Sequence, residues 1–139
     1  MKGHVGDNPD KLSLSLYSDA DFAGDKASSK STTGIFLALT GPNTFFPLNG
    51  VSKRQACVSH STPEAELVAA SAAIRIEGLP ALQLWDTVLD RKVQATLLED
   101  NQATLQIFKS GKILLCDTLL VRTASILLGS VNYFVHVTK

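Results

Sequence analysis

Residues 60–78 read HSTPEAELVAASAAIRIEG, and this stretch decides the fold. Thr62 is a hydroxyl residue placed to cap a helix, Pro63 follows where a first turn tolerates a missing N–H, and Glu64 suits the positive end of the helix dipole. Alanine and leucine then dominate until Gly78, so a helix is predicted over about 63–77. Before it, Leu12, Leu14 and Leu16 alternate with Ser13 and Ser15 and run into Tyr17, the period of a strand with one buried face. Residues 17–34, YSDADFAGDKASSKSTTG, have the composition of a turn, after which 35–40 resumes as a second strand. Residues 41–43 signal another turn, and 44–46 with 51–53 form a third strand interrupted by Pro47 and Gly50. Such short connections favour antiparallel pairing.

After the helix, Leu82, Trp85 and Leu89 recur at helical spacing, predicting a second helix over 79–89. Residues 93–99 read as a buried strand and 101–109 as a short helix closed by Gly111. The order of three strands, two helices, a strand and a helix implies an α/β fold. Its mixed sheet starts with three antiparallel strands and continues through helical crossovers.

A length of 139 residues suits one domain, and 45% hydrophobic against 19% charged residues gives enough apolar material for a core. Thirteen basic and thirteen acidic side chains cancel, so no bulk-charge argument for nucleic-acid binding exists. There is no run of eighteen apolar residues and no leader-like start, which predicts an intracellular protein without a membrane span. Cys57 and Cys116 lack a CxxC partner and the three histidines are scattered, so buried thiols are expected instead of a disulfide framework or zinc site. GxSxG, GxxxxGK and GxGxxG are all absent, which argues against a serine hydrolase, a phosphate loop and a dinucleotide site.

Three acids stand at comparable places: Asp19 just past the first strand, Glu66 early in the helix, and Asp100 at the end of the later strand. If the first and fourth strands are neighbours and the helix crosses them, these carboxylates meet at one sheet edge. An oxygen-only cluster suits Mg²⁺ or Mn²⁺. Spacing alone favours the plainer reading of three unrelated surface acids.

YSDADFAGD at 17–25, SKSTTG at 29–34, SKRQACVSHSTPEAELVAAS at 52–71 and EDNQA at 99–103 together resemble the ribonuclease H domain of copia-type retrotransposon Pol polyproteins. The four blocks occur in the family's order over about 12–112. The resemblance implies a ribonuclease H-like fold following a reverse transcriptase domain, and cleavage of the RNA strand of RNA–DNA hybrids. By position it assigns catalytic and metal-binding roles to Asp19, Glu66 and Asp100, with Asp19 bridging two Mg²⁺ (or Mn²⁺) ions. Ser18, Ser29, Asn101 and Gln102 become candidates for contacts to 2′-hydroxyls, and Lys26, Lys30, Lys53 and Arg54 for phosphates. Glu64 is left as a helix-start charge, Asp21 as a turn residue or outer ligand, and Glu99 as pointing to the opposite side of its strand.

The resemblance stops at about residue 112. The family continues with an Arg/His block and a terminal helix bearing a fourth carboxylate, whereas residues 112–139 read KILLCDTLLVRTASILLGSVNYFVHVTK, with Asp117 their one acid. A choice of codons that encodes residues 112–134 as they stand also encodes, one restored nucleotide out of frame, NPSMRHIARTHSIDIAWLSELF after the Lys. That string has the missing Arg-His block, an Asp at the slot of Ile126 and an amphipathic helix. The expected organisation is an N-terminal extension (1–11), a ribonuclease H-like domain (12–112) and a frameshifted, aberrant tail (113–139).

Overall fold

The computed structural model describes residues 2–25 and 29–110, together with the backbone of 115–116, 119–120 and 135–138. Side chains are described to residue 24 and from 29 to 107. Three long strands open the fold: Ser13–Asp25 (β1), Lys30–Gly41 (β2) and Thr44–Arg54 (β3), each antiparallel to the next. On one face, Leu14 and Leu16 of β1 join Ile35, Leu37 and Leu39 of β2 in the core. Each fully buried leucine contributes about 1.5–3 kcal/mol.

The expected turn over 17–34 is instead a continuation of the hairpin. Pairing runs without interruption from Ser13↔Thr40 to Asp21↔Thr32, slips once, and resumes at Asp25↔Lys30. At the slip Ala23 takes a φ of 52°, and a Cβ on Gly24 would collide with the Asp21 carboxylate. The Asp/Gly-rich composition therefore builds a bulge within β1 instead of ending it. Likewise β3 is not broken at Pro47 and Gly50. It stays continuous through one register shift opposite Leu37 and Ala38, and its position at the sheet edge accommodates the missing proline N–H.

The central helix begins one residue earlier than expected. Ser61, not Thr62, caps it by accepting the N–H of Glu64 at 3.3 Å, while the Glu64 carboxylate accepts the N–H of His60 at 2.7 Å. Helix α1 covers Thr62–Ala72 and α2 covers Leu79–Val88, but Gly78 does not separate them. Residues Ala73–Gly78 form a wider π-type turn, with the N–H of Leu79 reaching back to the carbonyl of Ile74. Pro80 follows at once, where a regular α-helix would press its ring on the carbonyl of Ile76. The wider turn relieves that clash, so the helix continues with a bulge instead of stopping. Gly78 is required for close packing: a Cβ there would lie 3.1 Å from Cδ2 of Leu16.

The continuous helix Thr62–Val88 is 27 residues long and has a stretch apolar enough to cross a membrane, with a mean hydropathy of 1.3. Half of that stretch is buried within the protein, as in a core helix. Ala70, Ala73, Ile74 and Leu82 pack on the sheet, and Trp85 and Leu89 flank them. The opposite face of the sheet carries the row Tyr17, Phe36 and Phe45, with successive ring centroids 5.8 and 6.3 Å apart.

After α2 the chain returns as Ala95–Leu98 (β4), shorter than the expected 93–99, and lies parallel to β1 from Leu14↔Ala95 to Tyr17↔Leu98. Helix α3, Gln102–Ser110, follows, and Gly111 lies outside the described residues. Two short strands, Leu115–Cys116 (β5) and Leu119–Leu120 (β6), pair with each other. Val135–Thr138 (β7) adds to β4 in parallel, so the sheet order is β3-β2-β1-β4-β7. No element was expected at β7; its VHVT sequence is short but alternates and is β-branched at three of four positions. Cys57 is half-buried and forms no disulfide, and the side chain of Cys116 lies outside the described residues.

Candidate active site

Three elements converge where the β1–β4 pairing ends, and Asp19, expected just past the first strand, lies inside β1, paired with Gly34 of β2. Asp19 lies two residues beyond the last β1–β4 pair, Asp100 two residues beyond the end of β4, and Glu66 in the second turn of α1. Small side chains permit the approach of helix to strand, because Ala20, next to Asp19, packs directly on Ala65 and Ala69. Gln55 fixes the start of α1 on the sheet. Its amide donates to Thr33 Oγ1 at 3.0 Å and to the Ala65 carbonyl at 2.9 Å, while its oxygen accepts from Ser59 at 3.3 Å.

The result is that one carboxylate oxygen from each of Asp19, Glu66 and Asp100 lies within 4.8 Å of the others. Asp19 and Asp100 are exposed, whereas Glu66 is 5% exposed beneath them. Glu66 is held by the Ala20 N–H, but its Oε2 is buried without a hydrogen-bond partner. Burial, reinforced by the charges of Glu99, Asp19 and Asp100, pushes the Glu66 carboxyl up to about 7. A buried, unsatisfied carboxylate oxygen facing two more carboxylates is a donor set that fits a hard divalent cation, because such an ion satisfies the lone pair and removes the repulsion.

The other sequence candidates are distributed differently. Ser18 is 7% exposed, and its hydroxyl donates inward to Glu99 Oε2 at 3.1 Å, so it is not presented to a substrate. Asn101 caps α3: its Oδ1 accepts the N–H groups of Ala103 and Thr104 at 3.0 and 3.1 Å. Gln102 is exposed at the start of the same helix, and Ser29 is exposed with a φ of 54°. Lys53 and Arg54 line a groove of about 430 Å³ between β3 and α1 with Val68, Ala72, Arg75 and Ile76. That groove shares no lining residue with the hollow formed by Tyr17, Ser18, Asp19, Leu98, Glu99 and Asp100. Lys30 is half-exposed on β2, and Lys26 lies outside the described residues.

Two residues that sequence reasoning left without a site role are structurally prominent. Gln55 stands between Arg54 and Ala56 in a basic stretch, and nothing in its neighbours signals that its amide docks a helix. Glu99 is 2% exposed, with burial pushing its carboxyl up despite hydrogen bonds from the Asn101 N–H and Ser18. An acid in a stretch of apolar strand residues was the available signal.

A mixed sheet in the order β3-β2-β1-β4-β7, crossed by a helix and carrying acids just beyond the parallel pairing of β1 with β4, defines a ribonuclease H-like fold. A solved ribonuclease H1, LC11-RNase H1 from a compost metagenome, superimposes with a TM-score of 0.52 over 91% of this chain and 82% of its own, at 19% identity. In sequence, the chain is similar to the retrovirus-related Pol polyprotein from transposon TNT 1-94 of Nicotiana tabacum, 44% identical over 58 residues. That match spans 42% of this chain and 4% of the polyprotein. No protein-family model matches the chain. Its fold is that of ribonuclease H, and 58 of its residues are similar to part of a retrotransposon Pol polyprotein.

Proposed function

We propose that this chain is a copia-type ribonuclease H domain, built to hydrolyse the RNA strand of RNA–DNA hybrids with Mg²⁺ or Mn²⁺ held by Asp19, Glu66 and Asp100. The observation that carries this reading is the meeting of three carboxylates, one of them buried and unsatisfied, on a ribonuclease H-like fold. When bound, the divalent ions supply an activated water and neutralise charge on the phosphodiester and departing 3′ oxygen. The chain's own residues set the stage for that chemistry. Asp19 and Asp100 present their carboxylates at the solvent boundary, and Ala20 and Gln55 keep Glu66 beneath them. Without cations this cluster repels a phosphodiester, so hybrid binding and metal binding are coupled. In this reading Gln102, exposed two residues after Asp100, contacts the hybrid's minor groove, and Lys53 and Arg54 serve phosphates along the end of β3.

The functional domain spans 12–112, in its ancestral setting behind a reverse transcriptase in an intracellular polyprotein. The tail is frameshifted, and the Asp restored at the slot of Ile126 supplies the fourth carboxylate. In the present chain, hydrolysis is weakened by orders of magnitude, because positioning and charge neutralisation provide most of the rate. The departure of residues 112–139 from the family pattern also favours a second reading, a hybrid-binding module that retains the fold without the chemistry.

The test is cleavage of a hybrid with a labelled RNA strand in Mg²⁺. It compares the chain as it stands, a version with the restored C-terminus, and Asp19→Asn in both. Cleavage by the restored version that disappears with Asp19→Asn supports the enzyme; cleavage that survives Asp19→Asn refutes the site. Hybrid binding with no cleavage by either version selects the module.

A further inference from the structure

The β1–β4 ladder ends at Tyr17↔Leu98, before either strand reaches its metal-site acid. Backbone pairing between the two strands therefore does not set the separation of Asp19 and Asp100. At this point Glu99 makes two links. Its Oε2 accepts the hydroxyl of Ser18, the neighbour of Asp19, at 3.1 Å across 81 residues of sequence. Its Oε1 accepts the N–H of Asn101, the neighbour of Asp100, at 3.2 Å. One carboxylate thus ties together both segments that carry the exposed acids, and it does so from inside the protein, since Glu99 is 2% and Ser18 7% exposed.

We infer that Glu99, acting through Ser18 and Asn101, is the positioning residue that holds Asp19 and Asp100 at cation-binding distance. This rests on the metal-site reading above. Both Glu99 oxygens are engaged by Ser18 and Asn101, so Glu99 acts on the backbone that bears the ligands, as partners behind metal ligands commonly do. The link requires two hydrogen bonds, one on each side-chain terminal atom, but no net charge. A glutamine can preserve both, accepting from the Asn101 N–H through its oxygen and donating to the Ser18 oxygen through its amide.

Mg²⁺ titration calorimetry, with the Mg²⁺-dependent rise in melting temperature as a second readout, tests this on the full chain. Ser18→Ala, the mildest change, is expected to weaken Mg²⁺ binding on the order of tenfold, and Glu99→Ala at least as much. Glu99→Gln is expected to stay within about twofold of the unaltered chain, while Asp19→Asn abolishes binding. If Ser18→Ala binds Mg²⁺ like the unaltered chain while Asp19→Asn does not bind, the positioning role is refuted and the metal site stands. If Glu99→Gln is as damaging as Asp19→Asn, Glu99 acts through its charge, and the inference is also refuted. If the unaltered chain shows no Mg²⁺ response, the metal-site reading fails and the inference fails with it. Should Glu99→Ala not fold, Ser18→Ala and Glu99→Gln still decide the matter.

Discussion

Glu66 is the residue on which the site's electrostatics turn. Its carboxyl is pushed from 4.5 to about 7 by burial and by neighbouring acids. The folded protein therefore holds its proton more tightly than the unfolded chain does. Stability from this group is fully present below pH 4.5 and is lost as pH rises through 7, a decline of up to about 3 kcal/mol in the absence of divalent cations. Urea titrations in chelator across pH 4.5–8 should show that decline, and Glu66→Gln should flatten it; a pH-independent difference between the two proteins would contradict the assignment. Glu66 and Asp100 could be singled out in the sequence because each stands near the beginning or end of a recognisable element, and Asp19 because the leucine alternation stops just before it, although β1 runs on through it. Gln55 and Glu99 could not, because their importance lies in partners far along the chain: Thr33 for one, Ser18 for the other.

Among the elements, the helix through Gly78 shows where local signals mislead. Glycine followed by Leu-Pro is a stop signal in isolation, yet here the helix absorbs Pro80 through a wider turn, and the glycine serves contact with Leu16. Gly78→Val should lower stability by about 1–3 kcal/mol through overpacking against Leu16, despite any gain in helix propensity. Chemical denaturation measures it, and an unchanged midpoint would show that the helix can shift away from the sheet. The first hairpin teaches a related lesson. Alternating leucines made the start of β1 legible, but the Asp, Ser and Gly content of 17–34 resembles a loop. Only cross-strand pairing reveals that these residues continue the ladder as a bulged strand. The tail was least legible, because β7 has four residues and derives its strand character from β4 beside it.

At the scale of the whole molecule, zero net charge conceals an uneven distribution: twelve of the thirteen acids precede Gly111, and three of them meet at one edge of the sheet. The five-strand order was only partly predictable. Short connections implied the antiparallel start, while the neighbour relation of β1 and β4 could be posed only as a condition. That relation also has a kinetic consequence. β1, β2 and β3 associate through short loops, and α1 follows closely, but Ser18 and Glu99 meet only after a closure spanning 81 residues. Closing so long a loop is a late event on entropic grounds. In refolding experiments, Mg²⁺ responsiveness should therefore return after most of the circular-dichroism signal; simultaneous recovery would show that β4 docks early. The acid cluster therefore forms only once β4 has docked beside β1, so a nascent chain does not gather divalent ions at this place before that step.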